Sequence, residues 1–466
     1  MKTMKKLSAA VMACAVVTAA LPLSAVSAAD TTEVTYAATI TLNGTSATAE
    51  GEHVSVDGAK VTINASGAYL ISGTLEDGQI IVNVPDTTAD PETVKLFFNG
   101  VNVTGKTDAA LYVMNAENTS VNLMDGTENF LSDGDAVFDA TATASTAVVY
   151  AKDDITFKSG GELGSGKLTV TANANYGIHC NDDLKFTGGD VKVKTETEDG
   201  VRGKKSVTIK DGKLDVNAGG DGVKSTKGDV VITGGDTEIK AGNDAVQGEI
   251  SVQISGGSLK ANGDRGLTNA NTAAGNAVTI TGGTVFATAT EVQATVANNT
   301  QPVLLFQTAE EQVKDQRIEL IRVTDGGSET DPVFSKNPNK KFSYVLVSDP
   351  ALQAEESYTL QIGGNPIKSY TFNEETVSGS TITLTDSITA VSNVIPGAAA
   401  AEEANMDINE DGDVDVSDAV ILARFIAEDS ELIMSPVAVS RADCDRDGRV
   451  TSNDVILILK KIAHLL

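Results

Sequence analysis

Asp199-Gly-Val-Arg202-Gly-Lys204-Lys-Ser-Val207-Thr-Ile209-Lys-Asp-Gly212-Lys-Leu214-Asp-Val216-Asn-Ala-Gly-Gly220 holds one whole structural unit, and the chain then begins the unit again at Asp221-Gly-Val-Lys224. The same landmark stands at Gly177-Ile-His179, Gly200-Val-Arg202, Gly222-Val-Lys224, Ala245-Val-Gln247 and Gly266-Leu-Thr268, at intervals of 23, 22, 23 and 21 residues. A second landmark follows each: Gly188-Gly189, Asp211-Gly212, Gly234-Gly235, Gly256-Gly257 and Gly282-Gly283. Apolar pairs at spacing two precede it (Leu184/Phe186, Val207/Ile209, Val230/Ile232, Val252/Ile254, Val278/Ile280). Others follow it, such as Val191/Val193 and Leu214/Val216. Spacing two is the strand period, so each pair faces one way. Glycine marks the turn because a positive φ is needed there.

A three-strand coil of about 22 residues cannot bury its apolar face alone; stacked coils can. The prediction is an all-β body, a right-handed parallel β-helix. Less regular coils extend it toward the N-terminus (Leu96-Phe-Phe98, Leu111-Tyr-Val113, Ile155-Thr-Phe157). Residues 38–85 read as a cap with the first coils and 302–385 as a C-terminal β cap, so the body spans 38–385. Residues 386–404 read as a linker.

The N-terminus carries Met1-Lys-Thr-Met-Lys-Lys6, an apolar run to about Leu23, and Val26-Ser-Ala-Ala29. This is the pattern of a signal peptide over 1–28, and no later segment has the length and apolarity of a membrane span. A formal charge of −29 argues against nucleic acid and anionic membranes as partners. The absence of Trp removes the largest of the rings that lie flat on sugars, so any sugar contact must lean on polar groups, Tyr or calcium. Once Cys14 leaves with the signal peptide, Cys180 and Cys444 remain, with nothing to suggest that they pair.

The tail, 405–466, carries two twelve-residue loops, Asp407–Asp418 and Asp443–Asp454. Oxygen ligands at positions 1, 3 and 5 are Asp407, Asn409 and Asp411, and in the second loop Asp443, Asp445 and Asp447. Glycine stands at position 6 and a carboxylate, Asp418 or Asp454, at position 12. Position 7 offers a backbone carbonyl (Asp413, Arg449) and position 9 a side chain (Asp415, Thr451). Such oxygens around one point suit a hard cation, so two Ca2+ ions are expected. An apolar helix follows each loop, with Val420, Leu422, Phe425 and Ile426, and then Val455, Ile456, Leu459 and Ile462, expected to form a shared face.

The paired half-EF-hands, with Asp at position 12, resemble a type I dockerin. The resemblance covers 405–466 and implies a cohesin domain of a scaffold protein as partner. It implies that Val416, Ser417, Arg424, Ser452, Asn453 and Lys460 contact the cohesin. Positions 10 and 11 differ between the halves (Val416-Ser417 against Ser452-Asn453), which departs from a module able to bind symmetrically in two orientations.

Residues 38–385 resemble the secreted, polysaccharide-lyase-like β-helix family of carbohydrate-binding domain proteins of cellulolytic bacteria. The resemblance rests on Asp77-Gly-Gln-Ile-Ile-Val82, Leu96-Phe-Phe-Asn-Gly-Val-Asn102, Asp125-Gly-Thr-Glu-Asn129, Asp199-Gly-Val-Arg-Gly-Lys204 and Gly220-Asp-Gly-Val-Lys-Ser225. It implies a calcium-containing β-helix that binds cellulose and acidic polysaccharide such as pectate.

Within the body, Asp199, Asp221 and Asp244 recur one coil apart, with Asp264 one place out of step. Carboxylates about 5 Å apart repel by roughly 3 kcal/mol per pair at an effective dielectric near 20. Either they cap turns through backbone hydrogen bonds, or they hold further calcium between coils, joined by Asp182, Asp183, Glu196 or Glu198. Arg202, Lys204 and Lys224 beside them suit a polysaccharide carboxylate. Arg202 and Lys224 also suit the base of a calcium-assisted β-elimination. Three functions stand: a calcium-dependent polysaccharide-binding protein carried on a cellulosome, a pectate or pectin lyase, and a structural component that binds no sugar.

Overall fold

The computed structural model describes residues 34–134, 146–271, 276–291, 296–324, 327–328, 331–366, 369–372, 375–378, 381–384 and 388–395 of the body, and 406, 408–409, 414–427, 442, 444 and 450–463 of the tail. The expected signal peptide lies outside these residues.

The body is a parallel β-solenoid made of a long sheet of 17 strands and a shorter one of 10. Residues one coil apart stand in register: Leu184, Val207, Val230, Val252 and Val278 form one column in the long sheet. Ile178, Val201, Val223, Val246 and Leu267 form another in the short sheet. Every member of both columns is buried. Each such side chain contributes roughly 1.5–3 kcal/mol by leaving water. Repetition turns the pairs at spacing two into one continuous core, with Phe157 and Phe186 stacked inside it at 5.3 Å.

The strands on either side of the glycine landmark are mostly one bent strand, as in Asp183–Thr195, Ser206–Ala218, Val252–Gly263 and Val278–Ala289. Pairing slips at the bend instead of ending. Two facts hold glycine there. Gly212, Gly235, Gly257 and Gly283 have φ between 78° and 84°. A Cβ on Gly212 would also stand 2.5 Å from the carbonyl oxygen of Gly189 in the preceding coil.

Hairpins close the N-terminal end. Ala38–Gly44 pairs antiparallel with Ala47–Gly51 and parallel with Gly67–Leu75; Val54–Asp57 does the same service for Lys60–Ile63 in the short sheet. At the other end Phe342–Ser348 lies antiparallel on Val278–Ala289, over a second core that includes Phe286, Phe306, Phe342 and Tyr358. The expected linker starts too early: Ile388–Ile395 is a strand of this cap, paired with Val303–Gln312. Its apolar residues, Ile388, Ala390, Val391, Val394 and Ile395, keep no strict alternation, and an Ala- and Glu-rich stretch follows directly.

The tail forms helix α1 (Val416–Ile426) and helix α2 (Ser452–Ile462). Ile408, Ala419, Leu422, Ala442, Cys444 and Ile458 make their core. Val420, Phe425, Ile456 and Leu459, expected in that core, are exposed. Both helices carry apolar residues around much of their circumference, so periodicity alone could not choose the buried face.

Candidate functional site

On the short sheet the aspartate column is a hydrogen-bonded ladder. Asp199 Oδ1 accepts the backbone N–H of Asp221 at 2.9 Å, and Asp221 Oδ1 accepts that of Asp244 at 3.0 Å. The second oxygen of each pairs three residues on. Asp199 Oδ2 meets Arg202 at 3.1 Å, Asp221 Oδ2 meets Lys224, and Asp244 Oδ2 accepts from Gln247 at 2.6 Å.

Arg265 ends the column. It lies in register with Asp244 and holds both of its oxygens, Nε to Oδ1 at 2.6 Å and a terminal nitrogen to Oδ2 at 2.7 Å. The sequence reading missed Arg265. The signal was the 21-residue interval, the shortest of the four, which puts Arg265 in the aspartate's place and Asp264 out of step. Burial pushes Asp199 and Asp244 up from the usual carboxylate range, against the pull of these partners. The hydrogen bond to Asp244 raises Arg265 further.

The backbone hydrogen bonds are those a turn-capping role would make. An ion between these coils would have to displace Arg202, Lys224 and Arg265. The column is also neutral within itself: three carboxylates face three cations. Arg202 and Lys224 therefore offer little unmatched charge to a polyanion, and their heads are committed to carboxylates. Lys204 is exposed.

The outward neighbours in register are Tyr112, Tyr150, His179, Arg202 and Lys224. Tyr112 and Tyr150 have ring centroids 5.5 Å apart, Tyr150 and His179 5.4 Å, and the Arg202 guanidinium lies 5.1 Å over Tyr176. Burial first, then Arg202 and Lys204, lowers His179 to about 4, so the imidazole is neutral at physiological pH. Tyr112 and Tyr150 are buried and present no flat ring to solvent. Nearby, Asp154, Asp182 and Asp183 converge. Lys185 stands 3.1 Å from Asp154, and Lys205 3.0 Å from Asp182. Glu196 is tied to Lys194.

In the tail the two loops repeat one device. Asp418 Oδ1 accepts the N–H of Ile408 and Asn409 at 2.6 and 3.0 Å, and its Oδ2 that of Asp415 at 2.8 Å. Asp454 Oδ1 accepts from Cys444 N at 2.7 Å, and its Oδ2 from Thr451 N at 2.7 Å. Both carboxylates are fully buried. Position 12 thus gathers the N–H groups of positions 2 and 9 in both loops. Asp415 and Asp418 also form a capping box at the start of α1, with Ser417 N donating to Asp415 Oδ1 at 2.7 Å. Those bonds from Ser417 lower Asp415 below the usual carboxylate range.

The described donors Asn409, Asp415, Asp418, Thr451 and Asp454 are all hard oxygens brought to the loops, and they fit Ca2+. Asp407, Asp411, Asp413, Asp443, Asp445, Asp447 and Arg449 lie outside the described residues, as does the side chain of Asn453. Val416, Ser417, Arg424, Ser452 and Lys460 are exposed, next to the exposed Val420, Ile456 and Leu459.

Comparisons with known proteins agree with both regions. Residues 57–329 match the family described as carbohydrate-binding domain-containing protein, and residues 405–463 match the type I dockerin domain. A carbohydrate-binding domain-containing protein of Acetivibrio thermocellus is 41% identical over 143 residues, covering 30% of this chain and 47% of that protein. The chain thus spans about half the length of the curated relative it matches. A solved structure, the polysaccharide lyase-like protein from C. thermocellum as a gadolinium derivative, is 32% identical. It covers 56% of this chain and 97% of its own, with a TM-score of 0.45.

Proposed function

Because the chain belongs to the family of carbohydrate-binding domain-containing proteins and carries a type I dockerin domain, we propose that it is a secreted protein that holds plant cell-wall polysaccharide on a cellulosome. The observation that carries this reading is the union, on one chain, of that solenoid and that dockerin. The solenoid is the polysaccharide-binding part. The tail docks into a cohesin of a scaffold protein.

Two calcium ions organise the tail. Asp407, Asn409, Asp411, Asp413, Asp415 and Asp418 hold one; Asp443, Asp445, Asp447, Arg449 through its carbonyl, Thr451 and Asp454 hold the other. Bound calcium supplies folding free energy to a module with a small core. The cohesin contacts Val416, Ser417, Arg424, Ser452, Asn453 and Lys460. Val420, Ile456 and Leu459 support that reading as an apolar surface with no cover within the described tail. Lys204 adds a polar contact for polysaccharide on the solenoid.

Binding is preferred to β-elimination because Arg202 and Lys224 are held by Asp199 and Asp221, leaving neither placed as a base. The test is retention of the full chain on cellulose and on polygalacturonate, with capture on an immobilised type I cohesin in calcium and in EDTA. Retention on a polysaccharide, with capture only in calcium, is expected. Retention on neither polysaccharide contradicts the sugar-binding reading. An unsaturated product absorbing at 235 nm would establish the lyase.

A further inference from the structure

We propose that the outer face of the long sheet around Phe130 is a contact surface for an uncharged polysaccharide lying along the solenoid. This rests on the sugar-binding reading and names the class of sugar and its place. Phe130 sits mid-strand in Glu128–Ser132, between the buried Asn129 and Leu131, and is 43% exposed. Among the Phe and Tyr residues of the body whose side chains are described, it is the one exposed.

A lone exposed apolar residue carries little by itself. Its neighbours in register carry the argument. Thr74, Asn102, Phe130 and Thr169 form one outward column over four coils, and Thr104, Ser132 and Thr171 form the next. All are uncharged. Spaced at about 4.8 Å per coil, they present hydroxyls and one amide along the sheet face, with a ring among them. An uncharged sugar chain has the matching chemistry: C–H faces that lie on a ring, and hydroxyls that donate and accept. Lys167 and Glu128, the charged residues of the Phe130 strand and of the Thr169 strand beside it, pair at 3.2 Å.

The same column changes character further along. It continues as Lys192, Asp215, Glu238 and Lys260, with Lys260 3.0 Å from Glu238. It ends at Phe286, which is fully buried under the C-terminal cap. A phenylalanine in this column is thus covered where the protein has a cap to cover it. Phe130 lies where no described segment of the chain does so, and on the uncharged part of the face.

The test compares full chains carrying Phe130→Ala and Phe130→Tyr with the unaltered protein on swollen cellulose and on polygalacturonate, after thermal melts establish equal folding. Phe130→Ala should bind cellulose about tenfold more weakly, since the lost burial of one ring is worth that much. Phe130→Tyr should keep the affinity, and neither change should affect polygalacturonate. Equal binding of cellulose by Phe130→Ala and the unaltered protein overturns the site. An equal loss on polygalacturonate, or binding to polygalacturonate alone, overturns the uncharged class while leaving the sugar-binding reading intact. Retention on neither overturns both.

Discussion

The solenoid and the tail both bury aspartates, and they settle those charges differently. Asp199, Asp221 and Asp244 each take an N–H from the next coil or a bidentate clamp from Arg265, and each faces a cation or amide of its own coil. Repetition supplies the partners, so the ladder is complete in protein alone. Asp418 and Asp454 instead gather the N–H groups of their own short loops. A long stacked body can settle its charges internally. A two-helix module with a small core gains from an ion.

The largest expected effect follows from that contrast. Asp418→Ala with Asp454→Ala, or EDTA on the unaltered chain, should unfold the tail and abolish cohesin capture while the solenoid's melting transition stays in place. Differential scanning calorimetry in calcium and in EDTA checks it; a solenoid transition that falls with the tail's would erase the distinction. Next comes the solenoid's own dependence on coil stacking. Gly212→Val puts a branched side chain at φ 84° and a Cβ 2.5 Å from the Gly189 carbonyl, and should cost about 3 kcal/mol or more in urea unfolding.

Arg265→Ala should cost about 2 kcal/mol, below the full value of a broken buried pair because the Arg265 side chain is 40% exposed. Adding Asp244→Asn should recover part of that loss, whereas simple additivity would deny the ladder its coupling.

The smallest effect concerns pH. His179 is lowered in the folded protein from 6.5 to about 4. Its contribution is therefore complete above 6.5 and is lost as pH falls through about 4, by up to about 3 kcal/mol. Asp199 and Asp244, raised by burial, act with the opposite sign and recover stability as pH falls through their folded values. The difference between the unaltered protein and His179→Gln over this window isolates the imidazole; parallel pH curves would contradict its assigned burial.

The solenoid was legible because stacking makes every coil repeat the same columns. Leu184, Val207 and Val230 announce themselves at spacings of 23 residues. What could not be read was register at the exceptions. Arg265 replaces an aspartate through a shortened coil, and Phe130 belongs to coils too irregular for the period to place. The dockerin domain of the tail was legible because its two loops carry oxygen residues at the same fixed positions. The faces of its helices were not, since Val420 and Leu422 look alike in sequence and differ only in what packs on them.

The most direct measurement is co-sedimentation of a type I cohesin with cellulose in the presence of this chain. The account predicts that cohesin reaches the pellet only when both the chain and calcium are present. EDTA should release the cohesin and leave the chain on the cellulose. Cohesin that stays down in EDTA, or a chain that never sediments with cellulose, would contradict it.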